Sequence, residues 1–309
     1  MTNKAHQLPN NVGVAIVAPG GYAPDEIGLA RGIALLEKQG CMVRNYYDPA
    51  TKYQRFGGTD EARVAQLHDA ADDPNVQVIL ALRGGYGMSR ILPMLDLNKL
   101  ANSGKLFVGH SDFTALQMAL LAKTNTASFA GPMLCDDFTR ADVSDFTMEH
   151  FWRCLTSASH TISAKAEGNP AIKVSGKLWG GNLAMLTHLT GTPYLPQIDG
   201  GILFVEDINE HPYRVERMLL QLLHAGILGK QKAIVLGDFS NYRLTDYDNG
   251  YDFVAMLAYL RAQLPMPVIT GLPFGHIQDK VTLAVGCHAT LSTDAHHMQL
   301  VMNSYPHLS

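Results

Sequence analysis

The stretch Lys105-Leu-Phe-Val-Gly-His-Ser-Asp-Phe-Thr-Ala-Leu116 decides the fold. Residues 106–109 form a strand that is apolar throughout, Ser111 falls at a tight turn, and a helix begins just behind it through Ala115, Leu116, Ala119, Leu120 and Leu121. A strand without polar alternation is buried on both faces, the condition of a parallel sheet covered by helices. The chain before it repeats the unit: residues 12–17, 42–46 and 76–82 read as strands, and 25–39, 61–72 and 89–95 as helices. Alternating strands and helices predict an α/β domain with a parallel sheet. In such sheets ligands bind at the carboxyl ends of the strands, which is where Ser111 and the turn Arg83-Gly-Gly-Tyr-Gly87 fall.

A serine between a strand end and a helix start has its hydroxyl held out of the packed layers. Backbone N–H groups left over at the first helical turn can then face a developing oxyanion. Ser111 or Asp112 can equally serve as the cap of that helix. Partners further along the chain bear on the choice. Gly201-Ile-Leu-Phe-Val-Glu-Asp-Ile-Asn-Glu-His-Pro-Tyr-Arg214 is an apolar strand running into carboxylates, and Leu272-Pro-Phe-Gly-His-Ile-Gln-Asp-Lys280 puts His276 in a loop between apolar runs. Serine needs a base to activate it, and the base needs a carboxylate to fix its tautomer. The order Ser, Glu, His is that of the α/β-hydrolases, but Gly109-His-Ser-Asp-Phe113 lacks the second glycine of their nucleophile turn.

The turn at 83–87 fits neither the dinucleotide nor the Walker glycine pattern. Two readings stand for it: a structural tight turn, or oxyanion stabilisation by the N–H of Gly85 or Gly84 together with that of Asp112. Arg83 and Tyr86 are candidates to line the pocket, Arg83 by pairing with a terminal carboxylate. His110 is a pocket residue or a satisfied core histidine, and Asn182, in Leu178-Trp-Gly-Gly-Asn-Leu183, is a pocket or packing residue. Glu206, Asp207, Glu210 and His211 superficially resemble metal ligands, but their spacing matches no zinc or EF-hand pattern, and an acidic turn ahead of a helix at Pro212 is expected. His296-His297 reads as surface. Neither a metal nor a cofactor is expected.

At 309 residues two domains are the natural expectation. Hydrophobic content of 47% with 17% charged residues is that of a folded chain. A net charge of −4 offers no footprint for nucleic acid or an anionic membrane. The polar start Met1-Thr-Asn-Lys-Ala-His-Gln-Leu-Pro-Asn-Asn11 has no signal-peptide core, and no apolar run is long enough to span a bilayer. The four scattered cysteines read as buried reduced thiols of a cytoplasmic protein. Texture changes between residues 136 and 171. Asp137, Asp142, Asp145 and Glu149 lie on a helical connector, and the polar run 157–170 ends in Gly168-Asn169-Pro170, so the domains are set at 1–165 and 172–309. Beyond the break, 173–179, 202–205, 233–236 and 281–285 read as strands, and 215–225 and 253–264 as helices.

Taken together, Ala18-Pro-Gly-Gly-Tyr22, Leu82-Arg-Gly-Gly-Tyr-Gly87, Gly109-His-Ser-Asp-Phe113, Leu178-Trp-Gly-Gly-Asn-Leu183, the segment 206–222 and the His276 loop resemble the LD-carboxypeptidase A family. These are cytoplasmic serine peptidases also called muramoyltetrapeptide carboxypeptidases. The resemblance covers nearly the whole chain. It implies a three-layer N-terminal domain of class I glutamine amidotransferase-like type carrying the nucleophile, and a smaller C-terminal sheet-and-helix domain of swivelling β/α type carrying acid and histidine. Residue by residue, it puts the nucleophile on Ser111, the relay acid on Glu206 and the histidine on His276. The implied substrate is the murein tetrapeptide, cut between diaminopimelate and the terminal D-alanine in peptidoglycan recycling. The microcin-immunity branch of the family, acting on peptidyl or aminoacyl nucleotides, is a rival; it carries an aromatic-bearing loop for which 206–214 shows no room. A non-catalytic carboxylate-binding protein, using helix N-termini, is the alternative from another class. The residues leave the oligomeric state open, a homodimer included.

Overall fold

Gly13–Val17 (β1), Val78–Ala81 and Leu106–Gly109 have every residue buried, as strands covered on both faces must. The computed structural model describes residues 11–309; the polar start at 1–10 lies outside the described residues. After β1 come Glu26–Lys38 (α1), Met42–Asn45 (β2), Asp60–Asp72 (α2), Val78–Ala81 (β3), Met88–Ile91 (α3), Leu97–Asn102 (α4), Leu106–Gly109 (β4), Thr114–Thr124 (α5) and Ser128–Ala130 (β5). Asp145–Leu155 (α6), Ser159–Lys165 (β6), Ile172–Asn182 (β7), Leu183–His188 (α7), Ile202–Ile208 (β8), Pro212–His224 (α8) and Ala233–Ser240 (β9) follow. The chain ends with Phe253–Gln263 (α9), Val268–Ile269 (β10), Leu283–Val285 (β11), His288–Thr293 (β12) and His297–Asn303 (β13).

The first sheet has the order β11-β5-β4-β3-β1-β2, parallel from β1 to β5. The second has the order β10-β9-β8-β7-β12-β13-β6, parallel from β10 to β7 and antiparallel beyond. The first sheet is the parallel arrangement expected from the strand patterning, and the second accords with the sheet-and-helix unit that the resemblance implies. Helix starts follow local chemistry: Asp25, Thr59, Ser144 and Asp252 each accept a backbone N–H of the helix they open. Among the described residues no helix is long and apolar enough to cross a membrane.

Three segments differ from the sequence expectation. The polar run read as a break contains β6, where His160 and Ile162 point inward between exposed Ser159, Thr161 and Ser163. It is an edge strand with one wet face, so its alternation is polar outside and weakly apolar inside. Residues 281–285, read as a strand of the second unit, supply β11, which pairs antiparallel with β5 in the first sheet. The chain thus passes back across the molecule after His276. Finally, β12 and β13 form an antiparallel hairpin beyond the strands read from sequence.

Candidate active site

The turn after β4 is tight because its neighbours have no side chains to spare. Ser111 has φ +61, a left-handed conformation unusual for a residue with a Cβ, and opens a 3-10 turn over Ser111–Phe113 that runs into α5. Facing it is Gly84, where an added Cβ would lie 2.7 Å from both Cβ and Oγ of Ser111 and 3.4 Å from the backbone nitrogen of Asp112. The backbone of the 83–87 turn therefore packs directly on the serine, as only glycine permits. The two turns are stitched by Asp112, whose buried Oδ2 accepts the N–H of Met88 at 2.9 Å. Burial pushes that carboxyl upward from its ordinary pKa.

Glu206 and His276 come together on the other side. Glu206 is 0% exposed near the end of β8, and its Oε2 lies 2.7 Å from Nδ1 of His276. Burial works to lower the histidine pKa, but the hydrogen bond and charge of Glu206 outweigh it, and the net shift is upward. The His276 ring stands edge-on to that of His110, with centroids 5.0 Å apart. Since His110 immediately precedes Ser111, this contact brings histidine, acid and serine turn into one place. His110 itself is buried, its Nδ1 is 2.9 Å from the carbonyl of Gly131, and burial holds its pKa well below the usual value.

The acidic cluster at 206–211 disperses. A bulge in the β8–β9 register between Val205 and Asp207 interrupts the alternation of side chains. Asp207 turns inward to accept from the side chain of Asn182 at 2.9 Å and from the N–H groups of Ala184 and Ile208, each at 2.9 Å. Burial, then the charge of Glu206, pushes Asp207 up to about 6. Glu210 pairs with Arg214 and His211 with Asp248, while Pro212 opens α8 as expected. Among the described residues no three His, Cys, Asp or Glu side chains group to hold a metal ion.

Of the proposed pocket residues, Arg83 is half-buried and Tyr86 exposed on the turn beside Ser111, Tyr86 with the Arg55 guanidinium over its ring. Asn182, read from sequence as a pocket or packing residue, ends β7. It lies buried behind Glu206, because the glycines before it let β7 close against Thr114 and its amide is used by carboxylates. A set not anticipated from sequence anchors the histidine loop. Lys280 Nζ meets Asp137 Oδ1 at 2.6 Å with both side chains buried, Ser144 donates to Asp279 at 2.5 Å, and Thr147 Oγ1 bonds both the carbonyl of Gln278 and the N–H of Lys280.

Both halves of the chain match known proteins. Residues 14–131 match the LD-carboxypeptidase N-terminal domain and 175–291 the LD-carboxypeptidase C-terminal domain. A probable murein peptide carboxypeptidase of Bacillus subtilis (strain 168) is 31% identical over 284 residues, 91% of this chain and 88% of that one. A crystal structure of muramoyltetrapeptide carboxypeptidase from Oxalobacter formigenes is 56% identical, covers 96% of this chain and 100% of its own, and superposes with a TM-score of 0.92. MccF, a microcin self-immunity protein of Escherichia coli, is 27% identical over 300 residues, 85% of each chain. With the Ser111 turn inside the first matched domain and both Glu206 and His276 inside the second, in a two-sheet frame shared with these relatives, the chain belongs to the LD-carboxypeptidase family of serine carboxypeptidases.

Proposed function

We propose that this protein removes the terminal D-alanine from murein tetrapeptide by hydrolysing the bond to diaminopimelate, in the cytoplasm, as part of peptidoglycan recycling. Ser111 Oγ attacks the scissile carbonyl while Nε2 of His276 takes its proton. Glu206 holds Nδ1–H and stabilises the imidazolium. The oxyanion is received by the N–H of Asp112 and that of Gly85 or Gly84. His276 then protonates the departing D-alanine, and water, deprotonated by the same ring, releases the acyl group from Ser111. Arg83 is assigned to the terminal carboxylate, with Tyr86 and His110 beside the substrate. No step calls for a cofactor.

The observation that carries this reading is the fully buried Glu206 clamped at 2.7 Å on one nitrogen of His276, beside the residue that precedes Ser111. Its likeness to the Bacillus murein peptide carboxypeptidase and the Oxalobacter muramoyltetrapeptide carboxypeptidase supports the substrate class. Incubation with tetrapeptide, pentapeptide and an L-alanine-ended tetrapeptide, followed by assay of the released amino acid, tests it. D-Alanine released from the tetrapeptide alone is the expected result. Failure on all three, with turnover of a peptidyl nucleotide, would transfer the chain to the microcin-immunity reading.

A further inference from the structure

Asn182 sits where the two arms of the site meet. It ends β7 and caps α7, its Oδ1 accepting the N–H of Met185 at 3.2 Å. Its Nδ2 donates to two different carboxylates, Oε1 of Glu206 at 3.2 Å and Oδ1 of Asp207 at 2.9 Å. Its backbone N–H donates to Oγ1 of Thr114 at 3.1 Å, and Thr114 opens the helix behind Ser111. That approach depends on Gly181, which has φ +142 and whose added Cβ would lie 2.5 Å from Thr114 Oγ1. With the backbone N–H and both amide hydrogens engaged and the residue buried, no donor of Asn182 is left for a substrate.

We propose that Asn182 is the positioning residue of the site, its amide bridging Glu206 and Asp207 so that Glu206 stays aimed at His276 while its backbone fixes this arm against the Ser111 turn. The inference rests on the serine mechanism proposed above. Its physical basis is that two buried carboxylates adjacent in sequence repel, and a shared donor between them relieves this while fixing their directions. The upward shift of Asp207 accords with such crowding, and the Asn182 hydrogen bond acts against that shift. Without the amide, Glu206 loses the donor that offsets its repulsion from Asp207 and fixes its direction, and His276 loses its aim. Substrate binding is untouched, because Asn182 does not meet the substrate.

Asn182→Ser and Asn182→Asp, assayed on tetrapeptide beside Ser111→Ala, test this. Serine keeps a helix cap and the backbone bond to Thr114 but removes the amide from two buried carboxylates; a folded protein of reduced stability is expected, with kcat down roughly ten- to a hundredfold and KM about unchanged. Aspartate keeps shape and cap but adds a third carboxylate. Its loss should be deeper at neutral pH and partly recover as the pH falls and the cluster takes up a proton, the reverse of the parental acid limb. Should the serine variant fold poorly, this pH signature carries the test. Parental kcat in Asn182→Ser, a raised KM with unchanged kcat, or an Asn182→Asp profile parallel to the parent would overturn the inference. Near-parental activity of Ser111→Ala would instead overturn the serine mechanism beneath it.

Discussion

Nδ1 of His276 lies 2.7 Å from Oε2 of Glu206, and that carboxylate has no exposed surface. A buried acid bonded to one ring nitrogen fixes the tautomer and leaves the other nitrogen as the base. On the proposed mechanism this pair sets both the rate and its pH dependence.

Glu206→Gln should therefore cost about a thousandfold or more in kcat, since an amide can present its N–H to the ring and select the wrong tautomer. Asp207→Asn should cost far less, because Asp207 bonds to Asn182 and the backbone rather than to His276. Glu210→Gln should be close to neutral, its carboxylate pairing with the half-exposed Arg214. Steady-state kinetics on the three variants decide this. Comparable small losses in all three would mean that Glu206 is not the relay acid.

The acid limb of activity should report His276. Its pKa is raised above the ordinary 6.5: burial opposes the shift, Glu206 and Asp207 favour it, and Lys280 opposes it. The neighbouring His110, held neutral by burial, adds no charge. Activity should fall with one proton taken up as pH drops through that raised value. Stability has the opposite sign. The ion pair's contribution is fully present below the unfolded histidine pKa and is lost as pH rises through the folded one. Glu206→Gln should move the acid limb to lower pH; an unmoved limb in the pH profile of kcat/KM would assign the titration to another group.

Lys280→Met should destabilise the fold by about 3–5 kcal/mol, because it leaves Asp137 as an uncompensated buried carboxylate. Adding Asp137→Leu should return much of that loss, since apolar pairs replace buried ion pairs at little cost. Urea denaturation of the single and double variants measures both. A single variant of parental stability would show that the pair does not anchor the histidine loop.

Gly84→Ala should lower kcat by at least about tenfold, as a methyl group 2.7 Å from Ser111 Cβ and Oγ must displace the turn. Gly229→Ala, where an added Cβ meets nothing within 4 Å and, as at Gly84, φ is not positive, is the control for loss of a glycine without crowding. Equal small effects on kcat would mean that the close approach at Gly84 has no part in turnover.

Much of this molecule was legible because its chemistry sits at strand ends. The unbroken apolar runs of β1, β3 and β4 identify a covered parallel sheet, and the residues that follow such runs, Ser111 and the Arg83 turn, fall at the carboxyl ends of its strands. Other features depend on register rather than pattern. The bulge at Val205 and Asp207, which lets neighbouring carboxylates share Asn182, leaves no mark in residue type. Lys280 follows Gln278 and Asp279 and reads as solvated loop; its burial against Asp137 becomes apparent only when the connector folds back over that loop. The crossing of β11 into the first sheet and the polar edge strand β6 are likewise set by partners distant in sequence.

The serine itself is the most direct point of test. Ser111→Ala, checked for an unchanged fold by circular dichroism, should release D-alanine from murein tetrapeptide about a thousandfold or more slowly than the parent in kcat, because the hydroxyl supplies the covalent step. Release at a near-parental rate from the folded variant would contradict acyl transfer through Ser111.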